Sequence, residues 1–140
     1  MDVMDRIAAV NTGARGPFRS DVPEKDIVIT SITVLNAARK YLGRSVEEGL
    51  GGVVFVTSGL GGMSGAQPKA LEIAGGAGIV AEVDPSRVET RHSQGWVSRV
   101  SDDLATSVRW MLEAAEAGEA LSVAYQGNIV DLLEYLDSHD

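Results

Sequence analysis

The chain contains no cysteine. That excludes a disulfide framework and a thiolate metal site. No long apolar run stands near Met1, so neither a signal peptide nor a membrane span is expected, and the default location is the cytosol. Positive charge is also scarce. Twelve Lys and Arg stand against twenty Asp and Glu, for a net charge of −8, which argues against nucleic acid or an anionic membrane as partner. It does not argue against a bound dinucleotide, because backbone amides and one or two local cations suffice to hold phosphates. Internal repeats and low-complexity tracts are absent. What remains is ordinary globular composition, 44% hydrophobic and 23% charged over 140 residues, enough for one domain with a sizeable core.

The stretch from Gly51 to Glu82 organises the rest. Val53-Val54-Phe55-Val56 is β-branched and aromatic and ends in a turn, so a fully buried strand is expected there. Ser58-Gly59-Leu60-Gly61-Gly62-Met63-Ser64-Gly65 is too glycine-rich for the interior of a strand or helix. A helix is expected from about Ala66, with Ala70, Ile73 and Ala74 on one face and a stop at Gly75-Gly76. Ile79-Val80-Ala81 then forms a second strand that runs into Glu82. Strand, glycine loop, helix, strand, acid is the layout of a dinucleotide-binding βαβ unit. Gly59 permits the sharp turn, while Gly61 and Gly62 let a pyrophosphate approach the backbone. The helix that follows presents free amides and a positive dipole end to that anion. Glu82 lies 82 − 59 = 23 positions after Gly59, close to the spacing of about 20 for the acid that takes the ribose hydroxyls. Ser64 occupies the third fingerprint position and is small enough for close helix–strand packing.

Elsewhere, Met1–Ile7 suits a short helix, and Asn11 to Pro17 and Ser20 to Asp26 read as loop and turn. Ser31 is placed to cap a helix running to about Leu42 and ended by Gly43. Ser45 to Glu48 suits a single turn. The second strand is expected to end at Asp84, and Pro85 suits the first turn of a short helix. Arg87 then falls near the adenosine end of a dinucleotide, where Glu82 favours NAD over NADP because a carboxylate repels a 2′-phosphate. Thr90 to Val97 reads as an irregular connector with Trp96 anchored in the core, and His92 has no visible partner that makes it an acid or base. Ser101-Asp102-Asp103 opens a long helix with Leu104, Val108, Met111, Leu112 and Ala115 on one face, stopped by Gly118. Trp110 and Met111 read as packing. Ala120 to Tyr125 reads as a third parallel strand, and Gly127-Asn128 at its end is placed to line the same crevice as the Gly59 loop, while Asn128 can at the same time cap the last helix, which runs through Ile129, Leu132, Leu133 and Leu136. The expected class is therefore α/β: a Rossmann-like three-layer domain with a mainly parallel sheet over residues 31–140, residues 1–30 being unassigned.

Literal residue strings carry the reading further. VFVTSGLGGMSGAQPKA, followed by EIAGG, AEVD, RHSQGWV and YQGNIVDL, resembles the urocanase (urocanate hydratase) family from about Asn36 to the C-terminus. The resemblance implies a tightly held NAD whose oxidised nicotinamide acts as an electrophile toward urocanate, with water adding to give imidazolonepropionate and NAD regenerated. By the same resemblance Gly62, Met63 and Ser64 match the loop on the cofactor phosphates, Glu82 and Arg87 the acid and arginine on the adenosine side, and Asn128 and Ile129 the contacts after the third strand. With Gly59, Gly61 and Gly127 these form the candidate cofactor site, with no catalytic residue and no metal ligand expected in this chain. A homodimer is a further implication.

Departures from the family matter equally. Its members are several times longer, their catalytic cysteine lies in a separate core domain, and their next cofactor segment, a Gln-Thr-Ser-x-His run, has no counterpart here. The chain is thus expected to be the NAD-binding portion, inactive toward urocanate alone and meeting that substrate only through the core domain. Two rivals stand beside this reading. An NAD-dependent oxidoreductase needs a proton donor such as a Tyr/Lys pair, and Tyr125 has no Lys a helical turn away. A stand-alone dinucleotide-binding module would bind without turnover.

Overall fold

Helix and strand alternate along the chain, so each crossover returns the backbone to the same end of the sheet and the strands run parallel. The computed structural model describes residues 24–45, 47–61 and 64–138. The sequence expectations for Met1–Ile7 and for Asn11 to Pro17 lie outside the described residues, as do Gly62 and Met63. The elements are α1 (Glu24–Leu42), β1 (Val54–Ser58), α2 (Ala66–Ile73), β2 (Ala77–Glu82), α3 (Pro85–Ser93), β3 (Arg99–Ser101), α4 (Leu104–Glu116), β4 (Leu121–Gln126) and α5 (Ile129–Ser138). The sheet has the order β1-β2-β4-β3 and every pairing is parallel. The α/β, Rossmann-like expectation is met.

Side chains alternate across the sheet, and the alternation sorts the helices into layers. Ala77, Ile79 and Ala81 of β2 join Val123 and Tyr125 of β4 in one cluster with Val108, Met111 and Ala115 of α4 and Leu132 of α5. On the opposite face Val80 and Ala124 meet Leu60, Val88 and Val97. Beside them Leu71, Ile73 and Ala74 pack with Leu35 and Ala38 of α1, Leu50 and Trp96. Each fully buried Leu, Ile or Val here is worth about 1.5–3 kcal/mol. Glu72 on α2 accepts from the Ser122 amide at 3.0 Å and its hydroxyl at 2.6 Å, fastening that helix to the start of β4.

Helix ends follow the sequence signals closely. Asp84 and Asp103 cap α3 and α4, accepting from the amides of Ser86 and Thr106. Helix α2 ends as expected at Gly75, whose φ of +90° is accessible to glycine without strain. There the Gly76 amide donates to Leu71 and the Gly75 amide to Glu72, a Schellman ending. Gly95 and Gly118 close α3 and α4 with the same bond pattern.

Several expectations are corrected. Ser31 does not cap a helix; it is a buried residue inside α1, which begins at Glu24 within the stretch read as turn and runs through the 30/31 boundary without a break. Helix formation there overrides the β-branched character of Ile27, Val28, Ile29 and Thr30. The run around Val54 is a strand but not a fully buried one: β1 lies at the sheet edge, and Val54 is 45% exposed. An apolar run reports that a strand wants cover, not how many neighbours it has. Residues 90–93 are the end of α3 rather than connector, and the three-residue β3 was not foreseen, so the expected third strand is the fourth in the chain. β2 ends at Glu82, two residues before the expected end, because Asp84 turns outward to cap α3. Leu112 and Leu133 fall off the buried faces of their helices. The ends of the turn expected at Ser45 to Glu48 are joined, the Ser45 hydroxyl accepting from the Glu48 amide and the Glu48 carboxylate from the Ser45 amide.

Candidate functional site

Parallel pairing brings the carboxyl ends of β1, β2 and β4 to one edge of the molecule. Ser58 is paired with Ala81, and Glu82 with Gln126, so the segments that follow all leave the sheet together. In open α/β sheets that rim is where ligands sit.

Gly59 makes the first turn, with φ +95°, and its amide donates to Ala81 at 2.8 Å. A side chain at this φ is strained. Leu60 then drops fully into the core, and its amide donates to Glu82 Oε1 at 3.1 Å. The Gly61 amide donates to Ser64 Oγ at 3.0 Å, and the Gly65 amide returns to the Gly61 carbonyl at 2.8 Å. The loop is thus wound on itself before α2 starts. Helix α2 begins without a side-chain cap and without an acidic residue in its first turn, which leaves its positive end un-neutralised by side chains.

Ser64 ties the loop through its hydroxyl, and its Oγ lies 3.0 Å from where a Cβ on Gly59 would stand. Gly65 beside it is crowded as well: a Cβ there would lie 2.6 Å from the Gly61 carbonyl oxygen and 2.8 Å from Arg91 Nε. Gly61 itself is roomier, a Cβ there coming no nearer than 3.6 Å to Arg87 Nη1.

Glu82 is buried, 6% exposed, at the centre of this rim. Oε1 takes the Leu60 amide and lies 3.6 Å from Arg87 Nη1, while Oε2 takes the Asp84 amide at 3.4 Å. Its backbone carbonyl accepts from the Gly127 amide at 3.0 Å, so one residue joins the loop after β1 to the loop after β4. Arg87 is half exposed and lies 3.6 Å from each of two carboxylates, Glu82 and Asp84. The Ser86 hydroxyl and amide, assisted by Arg87, hold the Asp84 carboxyl below the usual range.

The candidate residues therefore separate into groups. Gly59, Gly61, Ser64, Glu82 and Arg87 converge, and Gly127 joins them through Glu82. Asn128 Oδ1 accepts from the Val130 amide at 2.8 Å, the expected cap; Ile129 packs partly into the α4 and α5 core. Gly127 is held small by Tyr125, whose ring a Cβ would meet at 2.4 Å. His92 is exposed on the last turn of α3. Sequence reading missed Leu60, Gly65 and Arg91. The only signal for Gly65 was its place at the end of a glycine-rich run. Arg91 opens the RHSQGWV string, but it sits in a polar stretch that reads as surface.

Among the described residues no group of three or more His, Cys, Asp or Glu is arranged to hold a metal ion. No helix of the described residues is long and apolar enough to cross a membrane.

Comparison with known proteins agrees with the fold. The sequence model of the urocanase Rossmann-like domain matches residues 27–140. Urocanate hydratase of Homo sapiens is 54% identical over 107 residues, which is 76% of this chain and 15% of that protein. A probable urocanate hydratase of Caenorhabditis elegans is 52% identical over 121 residues, 86% of this chain and 18% of that protein. A probable urocanate hydratase of Halobacterium salinarum is 42% identical over 94 residues, 67% of this chain and 16% of that protein. The chain thus spans less than a fifth of the length of these curated relatives.

Proposed function

We propose, from the premise that this chain belongs to the urocanase family, that it is the NAD-binding part of a urocanate hydratase acting in histidine breakdown in the cytosol. In this reading the binding domain takes in α1, which crosses the boundary expected at residue 31, together with the sheet and helices that follow. The observation that carries it is the meeting of an uncapped helix start, a glycine loop and a strand-end carboxylate on one rim, with Glu82 bonded to the loop at Leu60.

The residues present fit a dinucleotide. The first turn of α2 lacks an acidic residue that would repel phosphate. Gly61 has no side chain of its own to hold a ligand off the loop backbone. Arg87 sits between Glu82 and Asp84, so the local charge at the adenosine end is net negative. That suits a ribose diol and opposes a 2′-phosphate, which favours NAD over NADP. Gly59, Gly61, Gly62, Met63 and Ser64 would hold the diphosphate, Glu82 and Arg87 the adenosine ribose, and Gly127, Asn128 and Ile129 the far wall. NAD, when bound, supplies an electrophilic nicotinamide. This chain's residues bind and orient it, while urocanate and the groups that act on it belong to the longer enzyme.

Calorimetric titration of the chain with NAD, NADP and, in parallel, the Glu82→Ala variant with NAD tests the reading. Uptake of NAD, weaker uptake of NADP and weakened binding by the variant are expected. An unmodified chain that takes up neither nucleotide overturns it for the isolated domain. No turnover of urocanate is expected from this chain alone, and no NADH absorbance with any alcohol or hydroxy acid, the result that would instead favour an oxidoreductase.

A further inference from the structure

Arg91 is 4% exposed, a cation taken almost wholly out of water. It is carried by α3, yet its guanidinium reaches the loop 30 residues earlier in the chain. Nε donates to the Leu60 carbonyl at 3.0 Å, and Nη2 donates to the Gly61 carbonyl at 3.2 Å. Nη1 is oriented by the Gln94 side-chain oxygen at 3.0 Å. Gly65 makes the approach possible, because any side chain there would collide with Arg91 Nε. Burying a guanidinium is costly unless its donors are used, so the arrangement calls for a reason beyond packing.

We propose that Arg91 is a positioning residue for the glycine loop. Carbonyl oxygens are the negative ends of the peptide dipoles. Those of Leu60 and Gly61 belong to the loop that a diphosphate would approach, and their negative ends would oppose it unless a cation offset them. Arg91 bonds both carbonyls, offsets their partial negative charge and fixes the loop where Gly61 meets Gly65. The planar fork of the guanidinium bonds two successive carbonyls and Gln94 at once; a lysine ammonium, a point donor on a flexible stem, cannot hold that geometry. Arg91 thereby makes the loop selective for anions without touching the ligand. This rests on the dinucleotide reading above, and the test separates the two.

Hydrogen exchange of the backbone amides, followed by NMR on the 140-residue chain, reads the loop with no ligand present. In Arg91→Lys, exchange at Gly61 and Gly65 should accelerate about tenfold or more, while Val123 and Ala124 in the sheet keep their rates. Calorimetry with NAD and with adenosine then reads selectivity: affinity for NAD should fall about tenfold in Arg91→Lys, and adenosine affinity less than about twofold. Gln94→Ala, which releases one guanidinium nitrogen and keeps the charge, should shift both readouts in the same direction by less, and it serves if Arg91→Lys does not fold. Unchanged loop exchange overturns the proposal. Equal loss of NAD and adenosine binding also overturns it, since that is the signature of a merely structural arginine. If the unmodified chain takes up no NAD, the dinucleotide reading fails, and the exchange rates alone decide for or against Arg91.

Discussion

Leu60 and Glu82, 22 residues apart, are joined by one buried hydrogen bond, the Leu60 amide donating to the carboxylate at 3.1 Å. Through it the end of β2 fixes the loop that leaves β1. The carboxylate is structural before it is anything else, because Leu60 is fully buried and its amide has no water to turn to.

Glu82→Ala should therefore destabilise the chain as well as weaken nucleotide binding. Leaving the Leu60 amide without its acceptor costs about 1–3 kcal/mol. Glu82→Gln keeps an oxygen in place and should lose less. Urea unfolding of the three proteins decides it, and equal midpoints for both variants would contradict the assignment of that bond.

Gly61 and Gly65 should respond oppositely to the same added methyl group. In Gly65→Ala the new Cβ would meet the Gly61 carbonyl at 2.6 Å and Arg91 at 2.8 Å, an overpacking that costs about 1–3 kcal/mol. Gly61→Ala has space, the nearest atom being 3.6 Å away, and stability should stay within about 0.5 kcal/mol. Its NAD affinity should nevertheless fall, because the methyl group obstructs backbone approach. A stable Gly61→Ala protein with unchanged NAD affinity would remove Gly61 from the site.

At low pH the caps of α3 and α4 should fail together. Ser86 lowers the Asp84 carboxyl, and Thr106 lowers that of Asp103, mainly through their hydroxyls. A lowered folded pKa means the contribution is present above the unfolded value of about 3.9 and lost as pH falls through the folded one. The gap in unfolding midpoint between the unmodified chain and Asp103→Asn should be open at neutral pH and close in that acid window. A gap independent of pH would sink the claim.

The alkaline side has its own reporter. Burial raises the Tyr125 hydroxyl above its usual value, and Asp131, Asp102 and Asp103 push in the same direction. Since the folded chain favours the neutral phenol, this contribution is present below the unfolded pKa of about 10 and lost as pH rises through the folded value. Ultraviolet titration should show one tyrosine ionising late, and Tyr125→Phe should abolish that phase. Loss of an early phase instead would reverse the assignment.

Much of this architecture is written locally. Asp103, Pro85, Gly75 and Gly118 mark helix ends by backbone chemistry that acts within one turn, and each sits where the sequence places it. The turn at Gly59 is legible for the same reason, as its φ demands glycine. What escaped depends on distant partners. Arg91 looks like surface until the loop folds over it, and β3 is too short at three residues to show a period. Ser31 is a good cap by type but lies inside a helix.

The edge position of β1 bears finally on how the chain behaves in company. Its sequence, VFVTS, carries neither lysine nor proline, the usual deterrents to edge-to-edge pairing, and no further strand lies outside it among the described residues. Apolar recesses flank the strand on both faces, one against Val34 and Tyr41, the other against Met111 and Leu136. The net charge of −8 opposes such pairing, a repulsion that reaches about 10 Å at 0.1 M salt and about 3 Å at 1 M. Self-association through this edge should therefore strengthen with ionic strength: light scattering should rise with salt and subside when a charge is placed on the strand by Val54→Lys.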